Sequence, residues 1–480
     1  MSTPQQALES KPKRVRQRFH QATPDEQAQG VPLPKVDADQ KVLAEFLPIT
    51  TLKALACQHN ALDERERKLT CAMFLWLMVL AVGGGGPINL TKVLTFTVVA
   101  CLMTDLPVRQ AVLSKETISE NLQYRPWQFF QAVLQYLLAA YAVFLATPQG
   151  ITTLALIEHL LLIDATVMRV ANTLLQTFPA NRTGRRALWA AVKLHLVFRL
   201  ERAIPEVVTI TAQKVNERKV SFLQAVGQPA LYVFDLGYWW YKLFDEIILR
   251  KQHFISRMRD GCNPLIKEVY TGCQEWVGKR LNDICLVGTE IDLLVNVTGP
   301  YPASPQMVHD VRLVGQWVDK DQVWHFYITS LLNRLTYTVS LIAEIYALRW
   351  QIEILFRDLK CVLGITNFLS TNENGVRIQI YAALIYYVLT RLVILKASRQ
   401  SNILVEEFSI PYCLVAVGQV MTQTVGLVIK GQAPDWATLE TRLVEAVIAV
   451  GRRPNRKRGH RLLSVKAHLQ NKPVPTAASP

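Results

Sequence analysis

The chain of 480 residues has no Cys-x-x-Cys pair, and none of its eight cysteines (57, 71, 101, 262, 273, 285, 361 and 413) has a histidine at metal-ligand spacing. That pattern argues against a zinc site. No secretory leader is expected from the opening residues, and scattered thiols would fit a reducing, cytoplasmic setting. Long apolar runs are missing too. The strongest, LTCAMFLWLMVLAV at 69–82, meets GGGG at 83–86, well short of the roughly 20 residues that cross a bilayer. No membrane association is expected. No nucleoside triphosphate site and no internal repeat are visible. Acidic residues are scarce: 38 Asp and Glu face 53 Lys and Arg, giving a net charge of +15. Such a balance favours a polyanionic partner over a small metabolite.

The positive charge gathers at the ends. KPKRVRQR (11–18) carries five basic residues, and RRPNRKRGHR (452–461) carries six with His460; both suit solvated tails or phosphate-binding arms equally well. Residues 1–41, without apolar period, are expected to be a disordered tail. Residues 42–148 read as a helical N-terminal domain, a DNA reader or a structural unit, with Ser114 as an N-cap. From 151 the pattern turns to strands. TLALIEHLLLIDATV, ALWAAVKLHLVFRL, EVVTITAQKV and ALYVFDLGYWW lead into alternating segments over 254–335, including DICLVGT. One long helix is predicted from about 338 to 363, followed by helices at 376–396, 411–430 and 435–450. A basic tail covers 451–480.

Two aspartates stand where apolar strands end, Asp164 in LLLIDAT and Asp235 in YVFDLGY. Singly, a strand-end Asp is more often a turn or cap residue than a ligand; an unpaired charge in the core would cost several kcal/mol. The predicted helix carries YALRWQIEILFRDLK at 346–360. At about 100° per residue, Tyr346, Arg349, Glu353, Arg357 and Lys360 fall in a polar stripe roughly 80° wide, opposite Leu341, Ile345, Leu348, Ile352, Leu355, Leu359 and Leu363. Taken alone, that stripe is a solvated face with i,i+4 ion pairs. Together, three carboxylates among cations can hold two divalent metals at roughly 3.5–4 Å. Oxygen-only ligands point to Mg²⁺ or Mn²⁺.

Tyr346, Arg349, Glu353 and Lys360 match Y-x2-R-x3-E-x6-K without a mismatch. In this the chain resembles the DDE transposases of bacterial insertion sequences, in the insertion-sequence-four group. The resemblance covers about residues 110–400. It implies an α/β fold: an RNase H-like core over 151–253 and 336–400, interrupted by a mostly β insertion over 254–335. A helical C-terminal region over 401–450 follows. Asp164, Asp235 and Glu353 would be the catalytic, metal-binding triad, with two ions per site. Tyr346, Arg349 and Lys360 would grip phosphates near the cut end. Trp350 could stack on a base, and Trp324 is the nearest candidate for receiving a flipped base, although core packing suits both. Lys193 and His195, alternating beside Asp164, could approach the site or be satisfied within the strand.

The same resemblance implies cut-and-paste transposition: nicking at the element end, a hairpin intermediate and strand transfer to target DNA. Its partners would be double-stranded terminal repeats, target DNA and a second copy of the chain in a synaptic dimer, associated with the nucleoid. A nuclease on the same core, or a DNA-binding protein that has given up catalysis, remain the alternatives. The retained carboxylates, the Tyr-Arg-Lys matches and the length of the insertion favour the transposase.

Overall fold

The computed structural model describes residues 18–33, 47–64, 68–106, 112–145, 159–181, 189–220, 222–223, 230–298 and 307–452. Of the two basic runs, all but Arg18 and Arg452 lies outside the described residues.

Seven helices precede the first strand among the described residues: α1 (Pro24–Ala28), α2 (Ile49–Gln58), α3 (Cys71–Gly83), α4 (Leu90–Thr95), α5 (Thr97–Leu102), α6 (Lys115–Tyr124) and α7 (Gln128–Leu145). Helix α3 is apolar on every side, and all of its residues are buried; a helix with no polar face has to be enclosed. Ser114 caps α6, its hydroxyl accepting from the Thr117 N–H. The expectation that residues 1–41 lack structure does not hold for 18–33. There Thr23 and Glu26 form a reciprocal capping box on α1, and Phe19 is buried beneath the Arg125 guanidinium, 5.0 Å from its ring centroid. One aromatic anchor and one cap leave no periodicity to read.

Among the described residues, nine strands form a single mixed sheet. They are β1 (Leu160–Arg169), β2 (Ala191–Arg199), β3 (Ile204–Ala212), β4 (Leu231–Phe234), β5 (His253–Arg257), β6 (Leu265–Thr271), β7 (Glu290–Asn296), β8 (Val311–Val318) and β9 (Val323–Thr329), in the order β3-β2-β1-β4-β5-β9-β8-β7-β6. Strands β1, β2 and β3 make an antiparallel meander, whereas β1, β4 and β5 run parallel. Helix α8 (Tyr241–Leu249) makes the crossover from β4 to β5. The remaining four strands are antiparallel and join the sheet through β9 against β5. Both faces are covered. Leu160 and Leu162 point into the core shared with the helices, and Leu161 and Ile163 into a second core with Tyr232 and Phe234. That double burial is why the β1 sequence is a continuous apolar run rather than an alternation.

DICLVGT is not a strand. A 3₁₀ turn at Leu281–Asp283 ends on the first residue of that stretch and open chain follows, with Gly288 at φ 82° and Val287 exposed. Strand β6 lies earlier, in LIKEVYT, where exposed Lys267 and Glu268 mask the apolar signal; charged residues are the usual protection of a sheet edge.

The long helix expected over 338–363 is broken. Helix α9 (Val339–Ala347) ends in a turn at Leu348–Arg349, α10 (Trp350–Arg357) follows, and Asp358–Val362 widen into a π turn. Through the break the N–H groups of Leu348, Arg349, Gln351 and Ile352 each donate to the carbonyl three residues back. The chain tightens to 3₁₀ geometry without glycine or proline.

The C-terminal helices are α11 (Glu373–Ser401), α12 (Ile410–Ile429) and α13 (Trp436–Val450). By length and composition α11 and α12 are apolar enough to cross a membrane, which the reading of short runs did not anticipate. In α11, 94% of the apolar stretch is buried inside the protein, packed against α3, α7 and α13. The chains meet closely at Gly83 and Gly418: a Cβ on Gly418 would stand 2.1 Å from the Gly83 carbonyl oxygen, and one on Gly83 would strike the Tyr386 ring. Tyr386 in turn donates to the Leu414 carbonyl at 2.8 Å.

Candidate active site

Strands β1 and β4 pair in parallel for four residues, from Leu160 opposite Leu231 to Ile163 opposite Phe234. Asp164 and Asp235 are the next residue on each strand, so the end of this short ladder presents two carboxylates side by side. Asp164 does not end its strand, as the sequence suggested. Strand β1 continues to Arg169 against β2, with Asp164 opposite Leu196. Asp235 does leave the sheet, at the N-cap position of a 3₁₀ turn over Leu236–Tyr238, but its side chain makes no capping hydrogen bond. Its carboxylate is not consumed by the turn.

Helix α10 packs on β1 and supplies the third carboxylate. Arg349, at the helix break, reaches both ways: Nη1 donates to Asp164 Oδ2 at 3.2 Å, and Nη2 lies 2.7 Å from Glu353 Oε1. The guanidinium also sits 5.8 Å from the Tyr346 ring centroid, and that ring packs 5.0 Å from the ring of Tyr327. Arg349 Nε is buried without a hydrogen-bond partner. The oxygens of Asp164, Asp235 and Glu353 do not all come within 4.8 Å of one another; Arg349 lies between them.

Asp164 is 16% exposed and its carboxyl is pushed up to about 7. Burial is the main cause, the charges of Asp235 and Glu353 add to it, and the Ala165 N–H and Arg349 oppose it. Asp164 Oδ1 accepts that N–H at 2.7 Å. One guanidinium therefore does not compensate the carboxylates around it, and additional positive charge is favoured there. Burial would lower Arg349, but Tyr346 and the charges of Asp235, Asp164 and Glu353 raise it. Burial likewise raises the Tyr346 phenol, with Asp235 adding to it. The donor set is all oxygen, which suits a hard divalent cation.

Lys360 sits in the π turn, half-buried, with burial lowering its ammonium. Among the described residues it makes no hydrogen bond or ion pair with the carboxylates. Trp350 is 59% exposed at the start of α10. Trp324 on β9 is engaged with its neighbours, 5.9 Å edge-on to Trp317 and stacked 6.0 Å from Phe326. Lys193 and His195 are committed elsewhere. Lys193 Nζ donates to Glu217 Oε1 at 2.7 Å and to the Val215 carbonyl. His195 lies 2.9 Å from Thr211 Oγ1 and 3.3 Å from Tyr238 Oη, and burial holds it down at about 4. Tyr238 is the neighbour that the sequence did not announce. Burial raises its phenol, and the charges of Asp164, Glu217 and Asp235 raise it further. Its position three residues after Asp235, in a turn rather than a strand, gives no periodic signal.

Two adjacent parallel strands and a flanking helix thus supply three carboxylates, two of them tied to one guanidinium. Residues 157–389 match the family model described as Transposase DDE domain. Over this stretch, a little under half of its length, the chain is similar to the DDE-type transposases. It is 30% identical over 202 residues to a Sinorhizobium fredii protein named as transposase y4zB, covering 42% of this chain and 53% of that protein. It is 24% identical over 288 residues to a Geobacillus stearothermophilus protein named as a transposase for insertion sequence element IS5377, covering 60% and 69%. A 54-residue stretch, 11% of this chain and 16% of its relative, is 44% identical to a Synechocystis protein named as a transposase for insertion sequence element IS4SA. The chain thus spans about half the length of the first relative and two thirds of the second. A solved piggyBac transposase synaptic complex with hairpin DNA aligns over 87% of this chain and 78% of its own, at 11% identity and a TM-score of 0.41.

Proposed function

We propose that the chain is a DNA transposase that cuts the ends of an insertion sequence and joins them to target DNA by metal-dependent phosphoryl transfer. The observation that carries this reading is the meeting of Asp164 and Asp235 at the end of the β1–β4 ladder, with Glu353 brought to them by Arg349. The strand order β3-β2-β1-β4-β5, with only β2 antiparallel to both neighbours, is read as an RNase H-like core, and β6–β9 as its insertion. The domain division given by the sequence is retained on the same basis, with the helical N-terminal unit as a possible DNA reader.

Asp164, Asp235 and Glu353 would together hold two Mg²⁺ or Mn²⁺ ions. When bound, these supply activation of a water or DNA 3′-hydroxyl and neutralise the leaving 3′ oxygen. The chain's own cations do the rest. Arg349 would turn from the carboxylates to a phosphate, a change favoured once their charge is otherwise met, and Tyr346 would brace it. Lys360 would hold a second phosphate, and exposed Trp350 would stack on a base near the cut. Trp324 is kept as the candidate for a flipped base only if its stack with Phe326 opens. Water attack would free a 3′-hydroxyl, which would attack the opposite strand to form a hairpin and, after opening, the target. A second copy of the chain would bring the other element end.

Strand cleavage and joining on a labelled element end with Mg²⁺, compared between wild type and Glu353→Gln, tests the reading. Metal-dependent nicking that proceeds to hairpin or joined product, and is lost in the variant, is expected. Cleavage that never joins would make the protein a nuclease. Tight DNA binding with no cleavage by the wild type would make it a DNA-binding protein.

A further inference from the structure

We propose that His20, Glu26 and Cys57 form a zinc site that fastens the N-terminal segment 18–33 to helix α2. Their ligating atoms, a ring nitrogen, a carboxylate oxygen and a sulfur, all lie within 4.8 Å of one another, the one such cluster of three among the described residues. His20 Nε2 and Glu26 Oε2 are 2.9 Å apart. A tetrahedral centre with zinc-like bond lengths sets its ligand atoms roughly 3.3–3.8 Å apart. Small side-chain adjustments would therefore admit the ion. Donors of three kinds, one of them a thiolate, suit Zn²⁺ better than Mg²⁺.

The local architecture gives such an ion something to do. Residues 18–33 bury a single side chain, Phe19, too little apolar area to order 16 residues against their conformational entropy. The segment is held otherwise by a few polar contacts. The His20 N–H donates to the Leu62 carbonyl at 3.0 Å, the Ala22 N–H to Asn60 Oδ1 at 2.8 Å, and Gln58 to the Gln29 carbonyl. These three contacts fall at or just past the C-terminal end of α2, where Cys57 resides; away from it, Arg18 pairs with Glu120, Val31 packs partly buried on the core and the Pro32 carbonyl accepts from Tyr136. His20 and Glu26 come from opposite sides of the Thr23 cap, so one ion would tie both flanks of that turn to the helix. Cysteine–histidine spacing cannot reveal this set, because 37 residues separate His20 from Cys57. Three protein ligands leave one position for water, as in an open rather than a closed site.

Cobalt titration of the full chain separates this site from the catalytic carboxylates, which have no sulfur. The expected result is a near-ultraviolet thiolate-to-cobalt band that saturates at one sulfur-ligated Co²⁺ per chain, whatever further Co²⁺ the carboxylates take, and is bleached by Zn²⁺. Cys57→Ser should abolish the band, and His20→Ala should weaken Zn²⁺ binding by roughly 100-fold or more, since even outer-shell losses cost 10- to 100-fold. Absence of the band, or its persistence in Cys57→Ser, would overturn the proposal. Proteolysis supplies the second measurement: Zn²⁺ should protect 18–33 in wild type and not in Cys57→Ser. Equal cleavage with and without Zn²⁺ would show that the segment is not fastened by metal.

Discussion

Replacing Asp164 by Asn should stabilise the chelated protein while ending its strand cleavage. The folded chain holds this carboxyl at about 7 against an ordinary value of 3.8. The folded state therefore keeps a proton that the unfolded chain releases, and wild-type stability falls as pH rises between those two values. At 1.36 kcal/mol per pH unit the ceiling is about 4 kcal/mol. Partial solvent access and relaxation bring the expected difference to roughly 2–4 kcal/mol at about pH 8. Asparagine keeps the oxygen that accepts the Ala165 N–H but carries no charge to desolvate, and Arg349 retains Glu353. Urea unfolding in EDTA across about pH 5 to 9 measures the effect. The variant and wild type should converge toward pH 4 and separate above it, the variant being the more stable. Mn²⁺ should stabilise wild type at pH 8 and leave the variant almost unchanged. A pH-independent difference, or a variant less stable at pH 8, would refute the electrostatic account of the site.

Three other substitutions probe the frame around it. Arg349→Lys replaces a fork that touches two carboxylates with a single ammonium, and nicking should fall by about tenfold or more in a gel assay while the melting temperature holds. Asp292→Ala strands the fully buried Arg312, which it meets at 2.7 and 2.8 Å. A loss of about 3–5 kcal/mol in denaturant unfolding is expected, and because Arg312 also binds the Tyr337 carbonyl just ahead of α9, cleavage should fall with it. Gly418→Ala drives a methyl into the Gly83 carbonyl, so calorimetry should show a loss of about 1–3 kcal/mol.

The carboxylates were legible in the sequence because each interrupts an apolar pattern: Asp164 and Asp235 follow buried strand residues, and Glu353 stands on a polar stripe. What the pattern could not carry was geometry set by pairing. Asp164 is mid-strand because β1 outlasts its four-residue ladder with β4 and continues on β2, and ladder length depends on two strands at once. Lys193 and His195 alternate correctly, yet the partner on each was decided by Glu217, Thr211 and Tyr238, which arrive from distant segments. The break at Leu348–Arg349 shows the same limit most sharply. No glycine or proline marks it, and a wheel drawn through 346–360 assumes one axis throughout. The 3₁₀ bonds at the break and the π turn at Asp358–Val362 alter the twist on either side of Glu353. The four signature residues therefore need not share a face. Arg349 joins the carboxylates and offsets part of their charge, while Lys360, carried round by the π turn, makes no ion pair with them.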